Sequence, residues 1–134
     1  MKTAIKLLFA TVSITLITAC GGGSSAPVNE AIYGAIATQS EMSGTIFVSS
    51  KYTTQSLANS AAIKGCIAQA VIPISCSVRT QFVGTTQCGA VSRGSNSIIG
   101  YATGNSILNA ESNAVADCTI KSGTGCVSVS SACN

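Results

Sequence analysis

The chain says one passage twice, and that duplication limits what it can fold into. Thr45 to Cys66 (TIFVSSKYTTQSLANSAAIKGC) lies without a gap over Ser97 to Cys118 (SIIGYATGNSILNAESNAVADC), displaced by 52 positions. Ile46 falls on Ile98, Ala58 on Ala110, Ser60 on Ser112, Ala62 on Ala114 and Cys66 on Cys118. Each copy holds a β-like run, a capping residue, a helix of small residues and a cysteine, in that order. Two copies of one apolar pattern call for two similar units, each burying the same faces.

The flanking residues complete the units. Ile32 to Thr38 is an apolar run of strand length, QSEMSG follows as a turn, and Thr45 to Ser50 returns as a second strand, so a hairpin is expected. Thr53 or Thr54 can cap a helix, its hydroxyl accepting from a backbone N–H that has no partner within the helix. Ala58, Ala61, Ala62, Gly65 and Cys66 then share one helical face, and side chains this small let a helix sit close to a sheet. Ile72-Pro73 ends the segment. Cys76 to Val83 alternates Val78, Thr80 and Phe82 against Ser77, Arg79 and Gln81, the period of a strand with one buried face. In the second copy Gly89-Ala90-Val91 answers Gly34-Ala35-Ile36 at a displacement of 55, so the second hairpin loop should be three residues shorter. Gly94-Ser95-Asn96 supplies its turn, Ser97 to Thr103 the next strand, and Asn105 or Ser106 the second cap. Asn113 and Asp117 stand where the first helix has Ala61 and Gly65, which predicts a narrower buried face, and Asp117 can pair with Lys121. Gly123-Thr124-Gly125 turns the chain into Cys126 to Cys133. The expected fold is α+β: a duplicated ββαβ unit (residues 31–83 and 88–134), antiparallel sheets each packed by a short alanine-rich helix, within one small domain, 31–134.

Ahead of that domain lies a segment that reads as targeting. Lys2 and Lys6 make a positive start, Leu7 to Ile17 an apolar stretch, and Ile17-Thr18-Ala19-Cys20 resembles a bacterial lipobox. The resemblance implies removal of residues 1–19 and acylation of Cys20. A plain secretory signal is the alternative; as an uncleaved anchor the run is short for a bilayer. Residues 20–30, with Gly21 to Ser25 at their head, form a flexible tether. Gly21 rather than aspartate after Cys20 resembles the enterobacterial signal for the outer membrane, facing the periplasm. With Lys2 and Lys6 set aside, Lys51, Lys64, Arg79, Arg93 and Lys121 face Glu30, Glu41, Glu111 and Asp117, a balance of +1. That leaves no clustered positive charge for a nucleic acid.

Of the seven cysteines, a lipidated Cys20 leaves an even set: Cys66, Cys76, Cys88, Cys118, Cys126 and Cys133. In an exported chain this reads as a disulfide framework. Six cysteines admit fifteen connectivities, and spacing alone does not choose among them. The repeat favours Cys66–Cys76 and Cys118–Cys126, each locking a helix end to the returning strand. Cys88 and Cys133 remain, and are expected to join the two units.

Tyr33-Gly34-Ala35-Ile36-Ala37, the Ala58 to Cys66 face and Cys76, answered by Cys88-Gly89-Ala90-Val91, the Ala110 to Cys118 face and Cys126, make the chain similar to a bacterial family known as domain of unknown function 4189. The similarity runs from Ala31 to Asn134. The chain departs from that family in having no tryptophan, with Ser and Thr in many of those strand positions. The resemblance implies a secreted or envelope location and carries no catalytic residues to transfer.

Chemistry is sparse. Without histidine, the Ser-His-Asp and Cys-His arrangements cannot form within the chain. Six positions along a helix put Glu111 and Asp117 on different sides, a poor acid–base pair and better read as solubilising charges. No Cys-x-x-Cys or histidine pair suggests a metal, and no glycine loop has the setting of a phosphate cradle. The expectation is therefore no catalytic residue, no metal and no cofactor. What remains is a lipid-anchored module touching the membrane through its lipid and binding an envelope or toxin protein, as an immunity or inhibitor lipoprotein does. A structural envelope role and a secreted effector are the alternatives. Polar positions differ between the copies, so residues that recognise a partner are expected in the loops Gln39–Gly44, Gln69–Ser75 and Gly84–Gln87.

Overall fold

A computed structural model describes residues 30–39, 44–70 and 76–134. The expected signal segment, Cys20, most of the expected tether, Pro73 and residues 40–43 and 71–75 of the first two loops lie outside the described residues. The elements run β1 (Tyr33–Thr38), β2 (Ile46–Tyr52), α1 (Gln55–Gln69), β3 (Ser77–Val83), β4 (Cys88–Arg93), β5 (Ile99–Gly104), α2 (Ile107–Ile120) and β6 (Val127–Cys133). This is the expected ββαβ, twice. Thr54 and Ser106 are the caps, their hydroxyls accepting from Leu57 N and Asn109 N at 3.2 Å each.

Each unit forms its own antiparallel three-stranded sheet with its first strand in the middle, in the orders β2-β1-β3 and β5-β4-β6. The sheets face each other, with β1 by β4, β2 by β6 and β3 by β5, and a helix covers each outer face. Alternation along the central strands builds these layers. Ala35 and Ala37 turn to Ala58, Ala62 and Cys66 of α1, while Ile36 turns inward to Phe82, Val91 and Ile99. Cys88 and Ala90 turn to Ala110 and Ala114 of α2. The order is helix, sheet, sheet, helix.

Four local results correct the sequence reading. First, Ile46 pairs with Thr38 and Ile99 with Arg93, so Ile46 corresponds in space to Ile99, a displacement of 53 and not 52. A bulge in β2, absent from β5, absorbs the extra residue: Tyr33 faces Tyr52 while Ala35 faces Ser49, and Lys51 sits at φ 65°. Asn134 holds this bulge. Its Oδ1 accepts from Lys51 N at 3.1 Å, and its Nδ2 donates to the carbonyls of Ile32 at 3.0 Å and Phe82 at 3.3 Å.

Second, Val78, Thr80 and Phe82 do not share a face. Thr80 faces Ile36 but Val78 faces Ala37, which leaves Arg79 as the extra residue of a second bulge. Val78 thus joins the α1 side and Phe82 the space between the sheets. The same bulge recurs in β6 at Val129.

Third, α2 buries a narrower face only at its margin, where Asn113 is exposed and Ala61 of α1 is half-buried; the central stripe is the same in both helices. Ala58, Ala62 and Cys66 are matched by Ala110, Ala114 and Cys118, all fully buried. What changes is which partner is small. In the first unit Gly65 makes room for the ring of Phe47, since a Cβ there would lie 2.5 Å from it. In the second the strand carries the glycine: a Cβ on Gly100 would overlap the Ala114 carbonyl and Cys118 N of α2. The helix there carries Asp117.

Fourth, Cys88 and Cys133 are cross-strand neighbours on β4 and β6, so their bond lies within the second unit and does not join the two. The position corresponding to this pair in the first sheet is Tyr33 with Val83. The units are joined instead by the side chains between the sheets and by Asn134.

Candidate functional site

Three disulfides, Cys66–Cys76, Cys88–Cys133 and Cys118–Cys126, take up the six cysteines of the described residues. In each unit one bond fastens the helix end to the strand that follows it, with Cα–Cα distances of 6.1 Å and 6.2 Å. Cys20 lies outside the described residues.

The ionisable groups on α2 are engaged with the sheet. Asp117 Oδ2 accepts from Tyr101 N at 2.9 Å and meets Lys121 Nζ at 2.8 Å, and Asn113 Nδ2 donates to the Thr103 carbonyl at 3.0 Å. Tyr101 N and Thr103 O are outward groups of the edge strand β5, so two helical side chains satisfy an edge that would otherwise lack partners. Glu111 accepts from Ser131 Oγ at 2.7 Å, on the opposite edge of the same sheet. The two carboxylates do point to different sides, but they are half-buried and bonded, not merely solubilising. Burial opposes the charge on Lys121. The hydrogen bond and charge of Asp117, with Tyr101 whose ring centroid is 3.8 Å from Nζ, outweigh that and raise its pKa above the ordinary 10.5.

A crevice of about 470 Å³ opens between the edges of β2 and β6. Thr45, Ile46, Phe47 and Val48 form one wall, Val129 and Ser130 the other, with Gln69 from the end of α1 and Arg93 from the end of β4. The bulge in β6 leaves Val129 on its rim. Arg93 reaches the crevice because alternation along β4 sends Val91 and Arg93 to the inter-sheet side and Ser92 to the helix, where its Oγ donates to the Ala114 carbonyl at 2.6 Å. Arg93 Nη2 donates to the Gly44 carbonyl at 2.9 Å, and its Nε is buried without a hydrogen-bond partner among the described residues. At the corresponding position of β1, Thr38 is buried and accepts from Arg79 Nε at 3.0 Å.

The described flanks of the first two loops, Gly44, Thr45 and Gln69, meet at this crevice. The third, Gly84–Gln87, lies at the opposite end of the first sheet, where Gly84, Thr85 and Thr86 line a second hollow of about 300 Å³ with Glu30 and Ala31. Arg93 itself is missed by sequence reasoning. The Val91-Ser92-Arg93 alternation puts it on the face of Val91, but only the first sheet, packed against that face, makes it dry. Chemically the crevice offers a cation and hydroxyl and amide groups beside the side chains of Ile46, Val48 and Val129, which suits recognition of an anionic or hydrogen-bonding group.

A family model described as a domain of unknown function (DUF4189) matches residues 33–133. Comparison with curated proteins and with solved structures finds no match. The matched residues run from the first residue of β1 to the last of β6 and so take in both units: the chain belongs to the DUF4189 family.

Proposed function

We propose that this protein is a non-catalytic binding module, held at the bacterial envelope by a lipid on Cys20 and facing the periplasm. The observation that carries the reading is how its reactive groups are used. The six cysteines of the described residues are bridged, Asp117 and Glu111 hold edge strands, and Arg79 is bonded to Thr38. Such a frame suits an oxidising compartment. The lipobox-like Ile17 to Cys20 and the Gly/Ser tether supply the anchor and the reach. A partner protein, such as a toxin or hydrolase that an immunity or inhibitor lipoprotein would neutralise, is the class of ligand that fits a small rigid domain on a leash.

The test combines palmitate labelling with cross-linking in intact cells, using the full chain and Cys20→Ala. The reading expects label on the native chain only and a discrete protein adduct that weakens when the anchor is lost. Label on the Cys20→Ala chain, absence of any adduct, or turnover of peptidoglycan by the purified protein would each contradict it.

A further inference from the structure

We infer that the crevice between β2 and β6 receives an acidic side chain carried on an extended segment of a partner protein, and that Arg93 reads its charge. This deepens the binding reading above and rests on it. A guanidinium does not give up its proton, so a buried N–H on it stays a cationic donor in search of an acceptor. Arg93 Nε is such a donor: buried, and without a partner among the described residues. Its neighbour Nη2 bonds the Gly44 carbonyl with one proton and carries a second, so the guanidinium keeps donors that a carboxylate can accept.

Among the described residues the charge is uncompensated locally. The ion pair among them is Lys121 with Asp117, and Glu111 is bonded to Ser131; neither acid meets Arg93. The space around the guanidinium is larger than a lone anion requires, and it is not uniformly polar. Ile46, Val48 and Val129 give apolar contact, while Thr45, Gln69 and Ser130 can bond a peptide backbone. Both walls are edge strands, each with one side not paired to a neighbour in its sheet. An extended chain is the ligand shape that uses such edges, with alternate side chains entering pockets.

The experiment uses the full chain, labelled with ¹⁵N and held in detergent micelles. The probes are a capped pentapeptide with a central glutamate between valines, its glutamine counterpart, and acetate. The glutamate peptide should shift the Arg93 Nε–H signal together with the amides of Val48 and Val129, and should bind roughly tenfold or more tightly than the glutamine peptide. Arg93→Gln, with its three disulfides verified, should lose that discrimination. Equal binding of the two peptides would overturn the inference. So would acetate reproducing the whole response, which would make this a site for free anions. A displaced Arg93 Nε–H signal in ligand-free Glu41→Gln would give the guanidinium an internal partner and overturn it as well. None of these outcomes touches the labelling and cross-linking test, so failure of the subsite and failure of the anchored-binder reading remain distinguishable.

Discussion

Phe82 is where the two units close on each other. Its ring lies between the sheets, in contact distance of the positions where Gly34 and Gly89 would carry a Cβ, one from each central strand. Neither glycine has a positive φ, so space and not backbone conformation demands them. Phe82→Ala should cost about 3–5 kcal/mol, because truncation leaves a void in a packed layer. Gly89→Ala should cost about 1–3 kcal/mol by overpacking the same ring, and Phe82→Leu should partly rescue it. Denaturant melts with the disulfides intact measure all three; a Gly89→Ala protein as stable as the native one would contradict this packing. The sequence marks Phe82 as an inward residue of an alternating strand. It does not reveal which layer the residue enters, because one unpaired residue, Arg79, reverses the side on which Val78 and Phe82 lie. A bulge leaves the residue types unchanged and moves only the register, so composition and period carry no trace of it.

At the scale of elements, the fold is a matter of how closely a helix can approach a strand. The small stripe Ala58, Ala62, Cys66 and its counterpart Ala110, Ala114, Cys118 were legible from their four-residue spacing, and each cap was legible to one of two adjacent residues. The inversion of large and small partners was not legible, because Phe47 and Gly65, or Gly100 and Asp117, are distant in sequence and meet only across the helix–sheet contact. Asp117 does the work there that a neighbouring strand would do for β5. Asp117→Ala should cost about 1–3 kcal/mol by leaving Tyr101 N–H without its acceptor. Lys121→Met should cost far less near neutral pH, since a half-exposed ion pair contributes little. The pKa of Lys121 is raised in the folded chain, so its contribution is complete below 10.5 and declines as pH rises through the folded value. The native protein should therefore lose stability above that pH more steeply than Lys121→Met does. Parallel alkaline profiles for the two would remove the pair from the account.

The whole molecule is two self-contained units pressed face to face. Its architecture was readable because a duplication states every element twice, and an element that is ambiguous in one copy is fixed by the other. The joining of the units was not readable. Cys88 and Cys133 looked like the connecting bond only because the other four cysteines were already spoken for, yet they are opposite neighbours on β4 and β6. The actual links, Phe82 among inter-sheet side chains and Asn134 on the β2 bulge, have no signature in residue type. Asn134→Ala should cost about 0.5–1.5 kcal/mol by removing its bonds to the Ile32 and Phe82 carbonyls and to Lys51 N–H, and hydrogen exchange at that exposed amide should accelerate. The candidate site was half visible. The loops flanking the crevice stand out as the parts where the copies differ, whereas Arg93 gains its setting only from the first sheet packed against its own.

The proposed export and lipid anchor, and the internal stapling of each unit, are tested together by mass spectrometry of the protein purified from cells without reduction. The expected result is a chain beginning at an acylated Cys20, with no free thiol, whose digest yields Cys66–Cys76, Cys88–Cys133 and Cys118–Cys126 as separate linked pairs. Free thiols, an unprocessed start, or a bond joining Cys66 or Cys76 to any cysteine of residues 88–134 would contradict it.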